Sequence, residues 1–352
     1  MTTATHCGLQ SRGPTRLDLR QWLAIAPAIE SLVVRCITTD VCGWVFGLLA
    51  LNQAAFAAPH EALSLQVEEA QGRLTIQHKR RPLLVCSFAA HQFKPYVGEL
   101  YSLTGINVLR DAPADHLHHH GLMYAVRVNG VNFWEERDQP GFEKSIRLLG
   151  HCIGEDAQHR PVAAFTHLIH WVASDHRSNT ESEQVALLVE RRTITVAVDE
   201  TRGEVAVRWC GEFSAGKNAG TVKLHGSAYN GLGLRLPAEF DASARHLNSE
   251  RTPYSKAQQG DVTAARWSAV FQPLQSRPVM VAIFSHHENH GETRFFTMLN
   301  PFAYLSVTQN LDQQPLEYQP GANFQINYLV CVYSEPKSVA FLNQRQAQWE
   351  KE

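Results

Sequence analysis

From Leu63 onward the chain is a succession of short runs in which apolar and polar residues alternate, broken by turn residues. Leu63-Ser64-Leu65-Gln66-Val67 and Arg73-Leu74-Thr75-Ile76-Gln77 flank a turn at Gly72, and residues 192–198 and 204–209 alternate around a turn at 199–203. Successive side chains of a strand point to opposite faces, so a period of two marks a strand with one face buried. Further strands are predicted at 164–171, 184–190, 266–271, 278–284, 303–308 and 324–333. Residues 122–128, Asn129-Gly130 and 131–134 spell a hairpin, because a type I′ turn needs positive φ at both central positions and Asn-Gly supplies it. A helix of any length is predicted only in the tail, Val339 to Trp349. The expected fold is all-β, a large antiparallel β-sandwich closed by a short C-terminal helix. No repeat and no Pro/Gly/Ser-rich linker divides residues 58–352, which read as one domain.

Residues 1–57 read differently. The apolar run 41–51 has signal-peptide length and is too short to span a bilayer comfortably. Arg35 precedes it, and Ala55-Phe56-Ala57 follows as a small-x-small cleavage site. This segment is expected to be an over-extended N-terminus plus a secretory signal peptide, with a start near Val33 or Val34 giving a signal of usual length. The protein is then periplasmic or extracellular. Asp40 fits that reading poorly, and the rival is a membrane tether left uncleaved. Beyond it stand Cys86, Cys152, Cys210 and Cys331, with no C-x-x-C pair, which excludes a zinc knuckle or a thioredoxin-type site. Buried thiols are expected, and spacing assigns no disulfide.

Composition narrows the partners. With 352 residues, 44% hydrophobic, 19% charged and a net charge of -2, the chain is an ordinary globular protein with no electrostatic footprint for nucleic acid. A small molecule or an oligosaccharide is the expected partner.

The densest chemistry is Asp115-His116-Leu117-His118-His119-His120-Gly121. Neutral imidazole is the commonest ligand for transition metals and titrates nearest neutral pH. His116, His118 and His119 are therefore candidate acid/base groups, or ligands of a divalent transition metal with an open position. In an extended run His116, His118 and His120 would share one face, so gathering His116, His118 and His119 requires an irregular turn before Gly121. The competing reading is a solvated or turn-fixing loop. Three further stretches join the cluster. Arg110 offers a rigid fork to a substrate, or pairs with Asp111 or Asp115. Asn230 and Arg235 flank glycines 231 and 233, either as hydroxyl-binding groups or at a sheet corner. His286, within Ser285-His286-His287-Glu288-Asn289-His290, is a candidate catalytic partner from across the sandwich. The His-Glu spacing there is wrong for a zincin.

Asp115-His116-x-His118-His119-x-Gly121-Leu122, with Val128-Asn129-Gly130, Phe133-Trp134, Gly231-Leu232-x-x-Arg235 and Phe284-x-His286, resembles the PmoA-like domain family of bacterial secreted proteins. Leu117 stands where that family tends to have Pro, and Ser285 where Asp is common. The resemblance implies a mostly β protein, often from bacteria rich in polysaccharide-degrading systems, whose shape is similar to the galactose-mutarotase-like sandwiches; it implies no particular activity. Three functions remain open: an enzyme acting on a carbohydrate or glycoside, a non-catalytic carbohydrate-binding sandwich, and a metal-dependent oxygenase. A recessed pocket lined by His and Arg favours the first, and a flat aromatic platform the second.

Amino-terminal sequencing of the exported protein is expected to begin at Ala58. An intact hydrophobic segment in a membrane fraction would favour the tether instead.

Overall fold

In a computed structural model, which describes residues 63–352 apart from 180–181, 242, 251–259 and 273–277, strand makes up 52% and helix 9%. The proposed signal segment lies outside the described residues. Alternation decides the architecture. Strand Leu188–Asp199 buries every second residue, from Leu188 to Val198, and Val279–Ser285 is buried throughout because both of its faces are covered. Val279, Val281 and Ile283 face the large core, whereas Met280, Ala282 and Phe284 face a smaller one on the other side.

Among the described residues all pairings are antiparallel. An eight-stranded sheet runs, in spatial order, Arg245–Asn248, Trp267–Gln272, Val279–Ser285, Asn323–Tyr333, Glu204–Ala215, Leu188–Asp199, Pro161–Val172 and Phe142–Glu155. A nine-stranded sheet begins with Leu63–Glu68, Arg73–His78, Arg81–Ser87, Tyr96–Leu100 and Leu122–Ala125. It continues with Gly231–Arg235, Tyr304–Thr308, Arg294–Met298 and Asp261–Ala264. The large core fills the space between the two sheets, with Leu74, Ile76 and Leu305 from one meeting Ile194, Val196 and Val207 from the other. The helix α1 (Val339–Trp349) is capped by Ser338, whose hydroxyl accepts from Phe341 N at 3.2 Å. It places Leu342 and Trp349 in the smaller core on the outer face of the eight-stranded sheet, and buried Arg345 pairs with Glu204 at 3.3 Å. Among the described residues no helix is long and apolar enough to cross a membrane. Cys86, Cys210 and Cys331 are buried thiols, as expected, whereas Cys152 is only half-buried.

The Asn-Gly hairpin forms with φ of 49° at Asn129 and 85° at Gly130, and Val128 pairs with Val131. Two expectations need correction. Residues 122–128 are not one strand: Leu122–Ala125 belongs to the nine-stranded sheet, whereas Arg127–Val128 belongs to a separate sheet of four short strands. An apolar run buried on all sides carries no mark of where it changes sheets. Residues 184–190 likewise divide, with a 3-10 turn at Glu183–Val185 before the strand starts at Leu188.

Strict alternation also carries Glu190 and Arg192 inward. The Arg192 guanidinium meets both oxygens of Glu190 at 2.7 and 2.8 Å, Glu143 Oε2 at 2.9 Å and the Pro95 carbonyl at 2.9 Å. Trp171 donates its indole N–H to Glu190 at 2.8 Å, and Arg192 lies 4.7 Å above the Trp209 ring. Removing one member of a buried, hydrogen-bonded pair strands the others without solvent. Arg192→Leu is expected to lower the free energy of unfolding in urea by about 3–5 kcal/mol. A loss under about 1 kcal/mol would show that the network is not what holds this part of the core.

Candidate functional site

The histidine run is neither extended nor floppy. Asp111 and His120 form an isolated bridge, and Ala112 N donates to the His119 carbonyl at 3.0 Å. Between them two turns follow in succession, His116 N to Pro113 O at 2.9 Å and His119 N to His116 O at 3.0 Å. Gly121 ends the loop at φ 37°, where a Cβ would run into the Val97 carbonyl. Arg235 braces both arms: its N–H donates to Gly121 O and its carbonyl accepts from Arg110 N, each at 2.9 Å. Coiling in this way gathers His116, His118 and His119 and turns His120 elsewhere, a different division from the one an extended run would give.

These three histidines line a cavity of about 560 Å³. Its floor is Phe296, Met298 and Tyr304, which share one face of the nine-stranded sheet, opposite to Leu305 and Val307. Gly233, opposite Ser306 on that face, leaves the room in which the Tyr304 hydroxyl sits. Trp134, Tyr229 and Phe302 extend this aromatic wall, and Asp115, Glu135, Glu136 and Arg137 complete the lining. The Asn132 side chain shapes the second wall by accepting from the N–H groups of Trp134 and Glu135 at 3.0 and 3.2 Å. Leu117 stands at the mouth, 66% exposed.

The imidazoles pack ring against ring. His116 stacks on His119 with centroids 4.6 Å apart and an interplanar angle of 18°; His118 meets His119 edge-on at 4.6 Å. His119 in turn stacks over Tyr304 at 5.6 Å. Burial pushes His118 down to about 4, helped by nearby Lys94. It pushes His119 down to about 2, helped by His118. Both are neutral at pH 7. Nδ1 of His119 is buried and has no hydrogen-bond partner among the described residues. Asp115 accepts from Arg235 at 2.8 Å and lies 3.1 Å from His116 Nδ1. Those bonds outweigh the penalty of burial and hold its carboxyl below the usual range. The Arg235 guanidinium lies 3.5 Å above the Phe302 ring.

The expected metal site does not fit this arrangement. Coordination needs lone pairs that converge on one point, whereas His116 lies flat against His119 and His118 meets both rings edge-on. Among the described residues no group of three or more His, Cys, Asp or Glu side chains is placed to hold an ion.

Arg110, Asn230, Arg235 and His286 are not among the described lining residues, and Arg235 acts on the site through Asp115. Arg110 enters through its backbone. Asn230 Oδ1 accepts from Ser227 N at 2.9 Å, so it shapes the turn that presents Tyr229. His286 lies at the far side of the eight-stranded sheet, edge-on to Trp349 of α1 at 5.4 Å, because the strand that leads to it sits in the middle of that sheet. Sequence reasoning missed Lys94, Glu136, Phe302 and Tyr304. The charged run Glu135-Glu136-Arg137 directly behind Trp134 was the one available signal.

The model of a family of unknown function, DUF6807, matches residues 73–345, and the chain belongs to that family. This corrects the PmoA-like resemblance: no methane oxygenase family is shown. The histidine motif behind that resemblance is too short to separate one family from another. No curated protein matches the chain in sequence. Among solved structures the chain is similar to an α-galactosidase from Geobacillus stearothermophilus, with 10% identity and a TM-score of 0.48 over 77% of this chain and 41% of that one. It is similar to an α-galactosidase from Lactobacillus brevis, with 10% identity and a TM-score of 0.41 over 80% and 40%. A putative aldose 1-epimerase from Klebsiella pneumoniae subsp. pneumoniae gives 9% identity and a TM-score of 0.42 over 79% and 83%. The chain thus spans less than half the length of the α-galactosidases it matches. Likenesses this distant carry no activity across.

The depressed His118 has a consequence for stability. In the unfolded chain it titrates near 6.5 and in the folded protein near 4, so between those values the unfolded state binds more protons. Stability is full above pH 6.5 and falls as the pH drops toward 4. His118→Gln is expected to make urea-derived stability decline less steeply over that window, by up to one proton's linkage. An unchanged slope would mean that His118 is not desolvated.

Proposed function

We propose that the cavity takes a hydroxyl-rich, sugar-sized ligand and that the chain is a carbohydrate-active protein. The observation that carries this reading is the pairing of an aromatic floor with a wall of hydrogen-bond acceptors. At neutral pH the neutral imidazoles of His118 and His119 and the ionised carboxylates of Asp115 and Glu136 face one volume. A polyol brings the donors such a wall needs, and its C–H faces suit Trp134, Phe302 and Tyr304. About 560 Å³ falls within the range of small-molecule sites. The recessed shape favours catalysis over a flat binding platform. In that case the role open to His118 at neutral pH is proton acceptor, not proton donor. The donor geometry lends no support to a metal-dependent oxygenase. The apolar run at 41–51 supports export.

Calorimetric titration with a panel of neutral monosaccharides and their methyl glycosides tests the reading. The parent is expected to bind at least one of them, more weakly as the pH falls toward 4. His118→Ala should weaken that binding roughly tenfold, the cost of about one buried hydrogen bond, with the thermal midpoint nearly unchanged. A folded parent that binds none of the panel sinks the proposal.

A further inference from the structure

His120, the histidine that the loop turns away from its neighbours, belongs to a separate array. Its Nδ1 lies 2.8 Å from Asp111 Oδ1 and its Nε2 lies 3.1 Å from Glu136 Oε1. Ionised carboxylates only accept hydrogen bonds, so both ring nitrogens must donate and the ring is an imidazolium. Burial alone would lower its pKa; the bonds to Asp111 and Glu136 outweigh that and raise it. Lys94 Nζ donates to the same Glu136 oxygen at 2.8 Å and to the Trp134 carbonyl at 3.1 Å. Tyr96 donates to the other oxygen of Asp111 at 3.0 Å and stacks on the His120 ring at 4.3 Å. Two cations thus balance two carboxylates.

The array treats the two oxygens of Glu136 unequally. Oε1 receives two charged donors, whereas Oε2 has no hydrogen bond among the described residues. Glu136 lines the cavity, with its side chain 16% exposed. Held from behind by His120 and Lys94, its carboxyl is pulled down to about 2 despite burial. It is therefore ionised at neutral pH and supplies no proton there.

We infer that Glu136 is the fixed acceptor of this pocket, its Oε2 receiving a ligand hydroxyl, and that His120 is a positioning residue acting through it. The inference rests on the sugar-pocket reading and assigns the charged acceptor within it. A carboxylate already oriented loses little freedom when a hydroxyl docks, which is what preorganisation contributes to affinity. His120 then differs in kind from His118, two residues away in the same loop: one is a held cation and the other a neutral acceptor.

Carbon-13 NMR of labelled glutamate side chains tests the positioning role without any ligand. In the parent, Glu136 should stay ionised to the acid limit of folding. In His120→Gln its titration midpoint should rise by a unit or more, and an unmoved midpoint overturns the positioning role. The nitrogen-15 signals of His120 should show both ring nitrogens protonated at pH 7; a neutral ring also overturns it. The acceptor role is read with the same panel of monosaccharides and methyl glycosides. A sugar that binds the parent should shift the Glu136 carboxyl signal, a readout that holds even if a variant folds poorly. It should bind Glu136→Gln roughly tenfold more weakly, and a further loss on acidification toward pH 4 should persist in that variant, since His118 is untouched. Equal affinity for parent and Glu136→Gln overturns this inference and leaves the pocket reading standing. Failure of the parent to bind any of the panel overturns both.

Discussion

The buried guanidinium of Arg192 is the interaction on which the rest depends. A charge with no access to water survives only if nearly every donor is met. Glu190, Glu143 and the Pro95 carbonyl meet them. Pro95 is the connection to the site, because its sequence neighbours are Lys94 and Tyr96. One holds Glu136 and the other holds Asp111. A strand in the middle of the eight-stranded sheet thereby fixes the position of a segment that carries two supports of the cavity wall. Burial pushes Glu143 up and the Arg192 guanidinium pulls it down.

The cavity shows how environment, not residue type, divides labour among identical side chains. His118, His119 and His120 are consecutive. The first two lie among rings and apolar walls, where ionisation is costly; the third lies between two carboxylates, where remaining neutral is costly. The device that separates them is a pair of backbone turns closed by Gly121 and braced by Arg235. Chemistry at this site is thus set by hydrogen bonds of the main chain.

What was legible in the sequence was local. Alternation at 192–198, the Asn129-Gly130 turn and the helix beginning after Ser338 each announce themselves within a dozen residues, and each appears in the structure. The histidine loop was legible as a dense cluster whose gathering needed an irregular turn. Where the signal failed, the missing information was distant. Lys94 reaches Glu136 across forty-two positions, and nothing local marks either. Tyr304 reaches the cavity through the pairing of its strand with Arg294–Met298 and Gly231–Arg235. His286 looked like a partner because it is a histidine among histidines, yet the sheet order places it beneath α1. Stacked rings, likewise, cannot be distinguished from converging ligands by spacing alone.

The helix α1 has a practical consequence. It seals apolar side chains of Trp267, Met280, Phe284 and Leu329 on the outer face of the eight-stranded sheet, clamped by Arg345 against Glu204. A version shortened before Val339 would bare a continuous greasy surface on a sheet whose other side is already filled. Such a surface favours self-association over solubility. Expression trials that trim the tail in search of a smaller crystallisable unit would therefore meet aggregation first, although α1 lends no residue to the cavity.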